Sequence, residues 1–169
     1  MRREALVPGS MSEDELIRLM DEYSGILIGV CRLILNDGAL AQDIAQETFL
    51  KAWSHAGFQR ESEKAWLIRV AVNLCHDYHR SRWWRHIDHK TAVDTLQAAA
   101  PEKRDREILD MVKQLPIREK EIVILRFWND MPADQIAQIL GISRASVYRQ
   151  LEKAKQHLKL ELEGGWERS

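Results

Sequence analysis

Apolar residues along most of this chain recur at intervals of three and four, the period of helices that bury one face. Leu16, Leu19, Met20, Tyr23, Ile26, Leu27, Val30 and Cys31 form one such stripe, and Ser12 with Glu15 makes a capping box ahead of it. Asn36-Asp37-Gly38 is a turn. A second helix is predicted from Leu40 to Trp53, with Leu40, Ile44, Phe49 and Leu50 inward, and Ala56-Gly57-Phe58 ends it. A third is predicted from Glu63 to Arg82, with Trp66, Leu67, Val70, Leu74 and Tyr78 inward. Residues 83–104 lose the period, carry Ala98-Ala99-Ala100-Pro101 and mixed charges, and read as a linker. A second helical set follows: Asp105 to Gln114, Arg118 to Trp128, Asp134 to Leu140, and a last helix from Ser143 to about Leu162. No strand-like alternation of useful length is present. The expected fold is therefore all-α. Two small helical domains, residues 11–82 and 105–163, are joined by a flexible linker over 83–104, with a short tail at 164–169. Residues 1–10, which include Leu6-Val7-Pro8-Gly9-Ser10, read as an expression-tag remnant, with Met11 the expected native start.

Composition narrows the class. A chain of 169 residues that is 45% hydrophobic and 30% charged suits a globular protein and excludes wholesale disorder. The best apolar run, Ile26-Leu27-Ile28-Gly29-Val30-Cys31, falls far short of the ~20 residues of a membrane helix. Cys31 and Cys75 make no disulfide framework and nothing reads as a signal peptide, so a reducing cytoplasm is the expected compartment. The net charge of -1 conceals alternating blocks. Residues 11–57 hold three basic and eight acidic residues, and 58–90 hold seven and four with four of the six histidines. Residues 91–135 hold seven and nine, and 136–169 hold six and four. Charge segregated in this way is compatible with a polyanion partner, and by itself equally with an ordinary varied surface.

The sharpest signal is Gln135-Ile136-Ala137-Gln138-Ile139-Leu140-Gly141-Ile142-Ser143-Arg144-Ala145-Ser146-Val147-Tyr148. A helix-turn-helix needs a small residue where two helices cross, a residue tolerant of positive φ in the turn, and an N-cap on the second helix. Ala137, Gly141 and Ser143 fall in that register. Ile136, Ile139, Leu140, Ile142, Val147 and Leu151 make its small core, leaving Arg144, Ser146, Tyr148, Arg149 and Lys153 outward. Between Ser143 and Lys159 lie five basic residues and one acid, Glu152. Such a face suits major-groove insertion, with phosphate contacts giving affinity and base edges specificity. A plain helical hairpin with a solvated basic face is the alternative.

Two further stretches carry candidate chemistry. Along Asp43-Ile44-Ala45-Gln46-Glu47-Thr48-Phe49-Leu50-Lys51-Ala52-Trp53, an outer face gathers Asp43, Gln46, Glu47, Leu50 and Lys51. Spacing alone leaves it open between a solvated face and a docking face. Its mix of acids, amide and apolar residue fits a protein partner better than nucleic acid. Leu50 thus belongs to both the inward and the outward set. Next, Phe58-Gln59-Arg60 leads into a helix bearing Arg69, Asn73, His76, Arg80 and Arg82, with Trp83 and Trp84 at its end. Aromatic and basic groups interleaved can hold an unstacked single strand, rings on bases and cations along phosphates. Trp66 and Tyr78 read rather as core, whereas Trp83 and Trp84, beside arginines at the helix end, are harder to place there.

At these residues the chain resembles the extracytoplasmic-function sigma factors, small promoter-recognition subunits of bacterial RNA polymerase. The likeness covers about residues 14–162. Asp43 to Trp53 is similar to the family's region 2.2, and Trp66-Leu67-Ile68-Arg69-Val70-Ala71-Val72-Asn73 with Asp77 and Arg80 is similar to regions 2.3 and 2.4. Leu115-Pro116, Glu121 and Leu125-Arg126 with the helix-turn-helix resemble region 4. The resemblance implies that Asp43, Gln46, Glu47, Leu50, Lys51 and Trp53 dock on core polymerase. It implies that Phe58, Gln59, Arg60 and Asn73 capture a flipped base of the minus-10 element while Arg69, His76, Arg80 and Arg82 hold nearby backbone. It implies that Arg144, Ser146, Tyr148, Arg149 and Lys153 read the minus-35 element, and that an anti-sigma factor controls the protein. Glu152 departs from the basic or aromatic residue common in the family, and the loop from Phe58 to Ala65 is short and charged. The housekeeping sigma factors' acidic N-terminal region and middle domain have no counterpart.

No catalytic motif stands out: Gly-rich phosphate loops, HExxH and GxSxG are missing, and no cofactor is expected. Cys75 and His79, four apart beside His76, could hold zinc, but a structural site needs four ligands and Cys31 falls on a core stripe, so no metal is expected. Glu119 with Glu121, and Asp43 with Glu47, read as solvated or partner-facing helix edges. Two other classes compete: a helix-turn-helix regulator acting without polymerase, which binds a symmetric duplex site, and a protein-only helical adaptor without salt-dependent DNA affinity.

Overall fold

The computed structural model describes the backbone of residues 11–55, 63–85 and 103–166, and the side chains of 11–55, 63–81 and 106–159. Phe58, Gln59 and Arg60 lie outside the described residues, as do most of 83–104 and the side chains of Arg82, Trp83 and Trp84. All described elements are helical. The chain divides into two compact units, Met1–Asp94 and Thr95–Ser169.

The first unit packs three helices. Helix α1, Glu13–Leu35, starts where Ser12 Oγ accepts the Glu15 N–H at 3.2 Å, with Glu13, Asp14 and Glu15 at the positive end of the helix dipole. It stops at Asn36, whose φ of 53° suits a short polar residue and whose N–H donates to the Arg32 carbonyl at 2.8 Å. One residue later Asp37 caps α2, Gly38–Trp53, accepting the Leu40 N–H at 3.0 Å. Within α2 the buried Thr48 hydroxyl donates to the Ile44 carbonyl at 2.8 Å, which satisfies a polar group the core would otherwise strand. Leu19, Leu27, Val30, Cys31 and Ile34 of α1 meet Ile44, Phe49 and Ala52 of α2 in the core.

Helix α3, Glu63–Arg85, closes the unit against both partners and runs three residues past the expected end. Its buried face differs from the expected one. Leu67, Ile68, Ala71, Val72 and Cys75 are buried, whereas Trp66, Val70, Leu74 and Tyr78 are half-buried. The small side chains at 71 and 75 let the helix approach closely, and the large rings flank the contact. In α1, Met20 is exposed; in α2, Leu40 is half-buried and Leu50 exposed, which settles Leu50 on the outward face. An ion pair ties α3 to α1: Arg18 reaches Glu63 at 2.7 Å and 3.3 Å, and the Tyr23 hydroxyl donates to the same carboxylate at 3.3 Å.

The second unit begins with α4, Lys103–Gln114, two residues earlier than expected. Pro116, in an extended conformation, leads into α5, Ile117–Val123. The single helix expected from Arg118 to Trp128 changes character midway, and Ile124–Trp128 forms a wider π-type turn. Asn129, buried, donates from Nδ2 to the Ile124 carbonyl at 3.0 Å, and the Met131 N–H reaches the Leu125 carbonyl at 3.1 Å. These donors take over carbonyls that a regular helix would have paired four residues on. Helices α6, Ala133–Leu140, and α7, Arg144–Trp166, complete the unit. Val112, Ile122, Leu125, Ile136, Val147, Leu151 and Ala154 build its core.

Glu119 and Glu121, expected on a solvated or partner-facing edge, are instead buried within the unit: only 4% and 1% of these residues is exposed. The Glu119 carboxylate lies 2.7 Å from His157 Nδ1 of α7, and Glu121 pairs with Arg118 at 3.5 Å. Carboxylates buried this deeply must be satisfied within the protein, and the partners come from α5 itself and from α7.

Candidate protein and nucleic-acid interfaces

The outer face of α2 is continuous. Asp43, Gln46, Glu47, Leu50, Lys51 and Trp53 are all exposed, while Ile44, Ala45, Thr48, Phe49 and Ala52 between them are buried. The helical period alone produces this split. Leu50 is 67% exposed, a large apolar side chain within a rim of charge and amide. Apolar centres with polar rims are the usual composition of a protein-binding patch.

On α3 the exposed positions among the described side chains are Arg69, Asn73, Asp77, Arg80 and Ser81, with His76 half-buried beside them. Asn73, His76, Asp77 and Arg80 line an open depression of about 580 Å³. Its floor offers an amide that can both donate and accept, an imidazole, and an Arg80 guanidinium paired with Asp77. That acidic partner, which the family resemblance sets beside Arg80, stands three residues before it, a spacing that puts both on one side of the helix. Trp66, one turn from the helix start, has its ring centroid 4.7 Å from that of His55. The structure therefore brings Arg69, Asn73, His76 and Arg80 onto one helix.

In the second unit the turn is built as its residues dictate. Gly141 adopts φ of 63°, its N–H donates to the Ala137 carbonyl, and the Ile142 N–H donates to the same oxygen at 3.1 Å. Ser143 Oγ accepts the Ser146 N–H at 3.1 Å, capping α7. Ile136, Ile139, Leu140, Val147 and Leu151 are buried, with Ile142 half-buried. Arg144, Tyr148, Arg149 and Lys153 are exposed and Ser146 half-buried, so the expected outward set shares one face.

Electrostatics separate these side chains. The Arg144 guanidinium lies 5.7 Å from the Tyr148 ring centroid, donates to its hydroxyl at 3.4 Å, and sits 3.4 Å from Asp134. The Tyr148 hydrogen bond, then the Asp134 charge, hold Arg144 above its ordinary pKa. Arg149 donates from Nη2 to Ser146 Oγ at 2.8 Å. Asp134, from the first turn of α6, escaped the sequence reading because its partner lies across the turn, outside any helical period. Phe127 and Trp128 also stand exposed on the π-type turn, where no periodic signal marked them.

Sigma-70 region 2 matches residues 19–85, and Sigma-70, region 4 matches residues 105–158. The chain is similar to the ECF RNA polymerase sigma factor SigL of Mycobacterium tuberculosis, 30% identical over 166 residues, covering 90% of this chain and 92% of that protein. It is 28% identical over 158 residues to the probable RNA polymerase sigma factor RfaY of Xanthomonas campestris pv. campestris, and spans 40% of that relative's length. Its fold is like that of the sigma factor RpoE in a co-crystal with the anti-sigma factor NepR from Bartonella quintana. The TM-score is 0.71 at 18% identity, over 89% of this chain and 98% of that one.

Proposed function

This chain belongs to the extracytoplasmic-function sigma factors of bacterial RNA polymerase, and from that membership we propose how its surfaces divide the work of promoter recognition. It is a transcription initiation factor whose partners are core RNA polymerase and promoter DNA. The α2 face of Asp43, Gln46, Glu47, Leu50, Lys51 and Trp53 docks on the polymerase. The α3 face of Arg69, Asn73, His76, Arg80 and Arg82, with Phe58, Gln59 and Arg60 ahead of it, holds the opened minus-10 strand. Arg144, Ser146, Tyr148, Arg149 and Lys153 enter the major groove at minus-35. Residues 11–82 and 105–163 act as the two modules and 83–104 as the linker between them. The protein works in the cytoplasm and makes or breaks no covalent bond. The sigma factor of the matched co-crystal is bound to an anti-sigma factor, and a partner of that kind masks these same faces here.

The observation that carries this reading is the exposed α2 stripe: every proposed polymerase contact on it faces outward, and a bare leucine sits at its centre. Transcription with core polymerase on a promoter library tests it. Leu50→Asp lowers association with the core while the helical content stays intact. Asn73→Ala weakens open-complex formation without changing minus-35 choice. Failure of the wild-type chain to bind core polymerase, or unchanged promoter choice in both Asn73→Ala and Arg149→Ala, refutes the assignment.

A further inference from the structure

Two arginines occupy the first two turns of α7, and the protein treats them differently. Arg144 is engaged three ways from within the unit, by the Asp134 carboxylate, the Tyr148 hydroxyl and the Tyr148 ring. A guanidinium beside a carboxylate presents little net charge to an approaching phosphate. Arg149 is linked to a neutral chain of hydroxyls. Its Nη2 donates to Ser146 Oγ at 2.8 Å, the Ser143 hydroxyl donates to that same oxygen at 3.0 Å, and the Ser146 N–H donates back to Ser143 Oγ at 3.1 Å. One edge of the guanidinium is thereby tied to the helix cap, its full charge is retained, and four of its five N–H groups remain for a ligand.

Guanine offers O6 and N7 in the major groove as two adjacent acceptors, and a planar fork matches them with two parallel bonds. Such recognition is selective only when the fork is already oriented, because a loosely held arginine loses its rotamer freedom on binding any base. Resting on the reading of α7 as the minus-35 helix, we propose that Arg149 discriminates a guanine there with Ser146 as its positioning residue, while Asp134 neutralises Arg144 and confines it to sequence-independent affinity. Ser146 therefore contributes no base contact of its own. Its role is the angle at which Arg149 is presented. Asp134, at the start of α6, sets how strongly the unit responds to salt.

The test uses the full chain assembled with core polymerase, a promoter library randomised across minus-35, and sequencing of the bound fraction at several salt concentrations. Arg149→Ala lowers the preference for guanine at one position by roughly 5- to 150-fold. Ser146→Ala lowers it at that same position by a smaller factor, and Ser146→Thr, which restores the hydroxyl, recovers it. Asp134→Asn strengthens binding to all sequences alike and steepens the salt dependence by about one counterion. A wild-type preference that survives Arg149→Ala overturns the proposal while leaving α7 as the reading helix. A Ser146→Ala effect that is absent, falls at another base pair, or is not recovered by threonine also overturns it, as does an altered base preference in Asp134→Asn. If the wild-type holoenzyme shows no minus-35 preference at all, the assignment of α7 falls with it.

Discussion

The Arg18–Glu63 pair makes an asymmetric prediction. Glu63 is 4% exposed at its side chain and Arg18 35%, so the two partners lose unequal amounts when left alone. Deleting one member of a buried pair costs about 3–5 kcal/mol when the survivor stays buried and unpaired. In Arg18→Ala the surviving carboxylate keeps the Tyr23 hydroxyl at 3.3 Å and its place in the first turn of α3, where the helix dipole favours an anion. With those two contributions and partial solvent screening around Arg18, the expected cost falls to about 2–3 kcal/mol. In Glu63→Gln the surviving guanidinium is a third exposed and still reaches Glu22 at 3.0 Å and Glu15 at 4.0 Å, while the glutamine can still accept from Tyr23. Its expected cost is about 1 kcal/mol. The double variant should cost about 1–2 kcal/mol less than the two singles added, the signature of a shared contact. Native-state hydrogen exchange in graded urea, resolved to peptides of α1 and α3, reads this unit separately from the other. Equal costs for the two single variants, or a larger one for Glu63→Gln, refute the reasoning, because the burial difference would then carry no energetic consequence.

Glycine positions give opposite signs. Gly141→Ala should destabilise the second unit by about 1–2 kcal/mol, all of it strain at a φ of +63°, since no atom lies within 4 Å of the added Cβ. Gly25→Ala, inside α1 with equally open space, should stabilise the first unit by about 0.5–1 kcal/mol; urea titration of each variant checks both. Burial holds the Lys120 ammonium below its ordinary value of 10.5, against the pull of Glu121 and with the push of Lys113. The unfolded chain then binds more protons between the lowered value and 10.5, so the fold gains stability as pH rises through that window. Wild type should therefore gain on Lys120→Met between neutral pH and 10.5, measured by urea midpoints of the second unit; a constant difference across that range removes the basis for it.

What the sequence discloses follows from which signals are local. Ser12, Asp37, Gly141 and Ser143 announce helix ends through chemistry confined to three or four residues, and each acts as its type requires. The α2 face is equally legible, because polar and apolar residues alternate there at the helical period. The inner face of α3 is not. Choosing the largest side chains selects Trp66, Val70, Leu74 and Tyr78, whereas close approach to two other helices selects Ala71 and Cys75 with their neighbours. Glu119 and Glu121 read as a solvated or partner-facing edge because charge is usually exposed. Only the arrival of His157 from α7, 38 positions away, explains how Glu119 can be buried. The π-type turn hides for a related reason: its cause is the Asn129 side chain folding back on the Ile124 carbonyl, a contact that no periodicity reports. On the candidate site, Asp134 is missed while Arg144, which it touches, is found, because the two lie on different helices and no helical period links them. Asp77 enters through the family resemblance, beside Arg80.

These long-range pairs share a consequence. Apolar burial is non-directional, so a core of leucines and isoleucines tolerates small rotations of a helix about its own axis at little cost. Charged pairs are directional and do not. Glu63 fixes the first turn of α3 against Arg18 and Tyr23 of α1, and that helix carries Arg69, Asn73 and Arg80 on its far side. Glu119 of α5 meets His157 of α7, the helix whose N-terminal turns carry Arg149 and Ser146. In both units the helix proposed to meet DNA is thus keyed by a pair that lies outside the proposed contact face and uses one nearly buried carboxylate. An interface that reads bases by hydrogen bonds needs angular precision of this kind, and a hydrophobic core alone does not supply it. Buried carboxylates that cost stability when isolated are here the elements that key the two helices proposed to meet DNA.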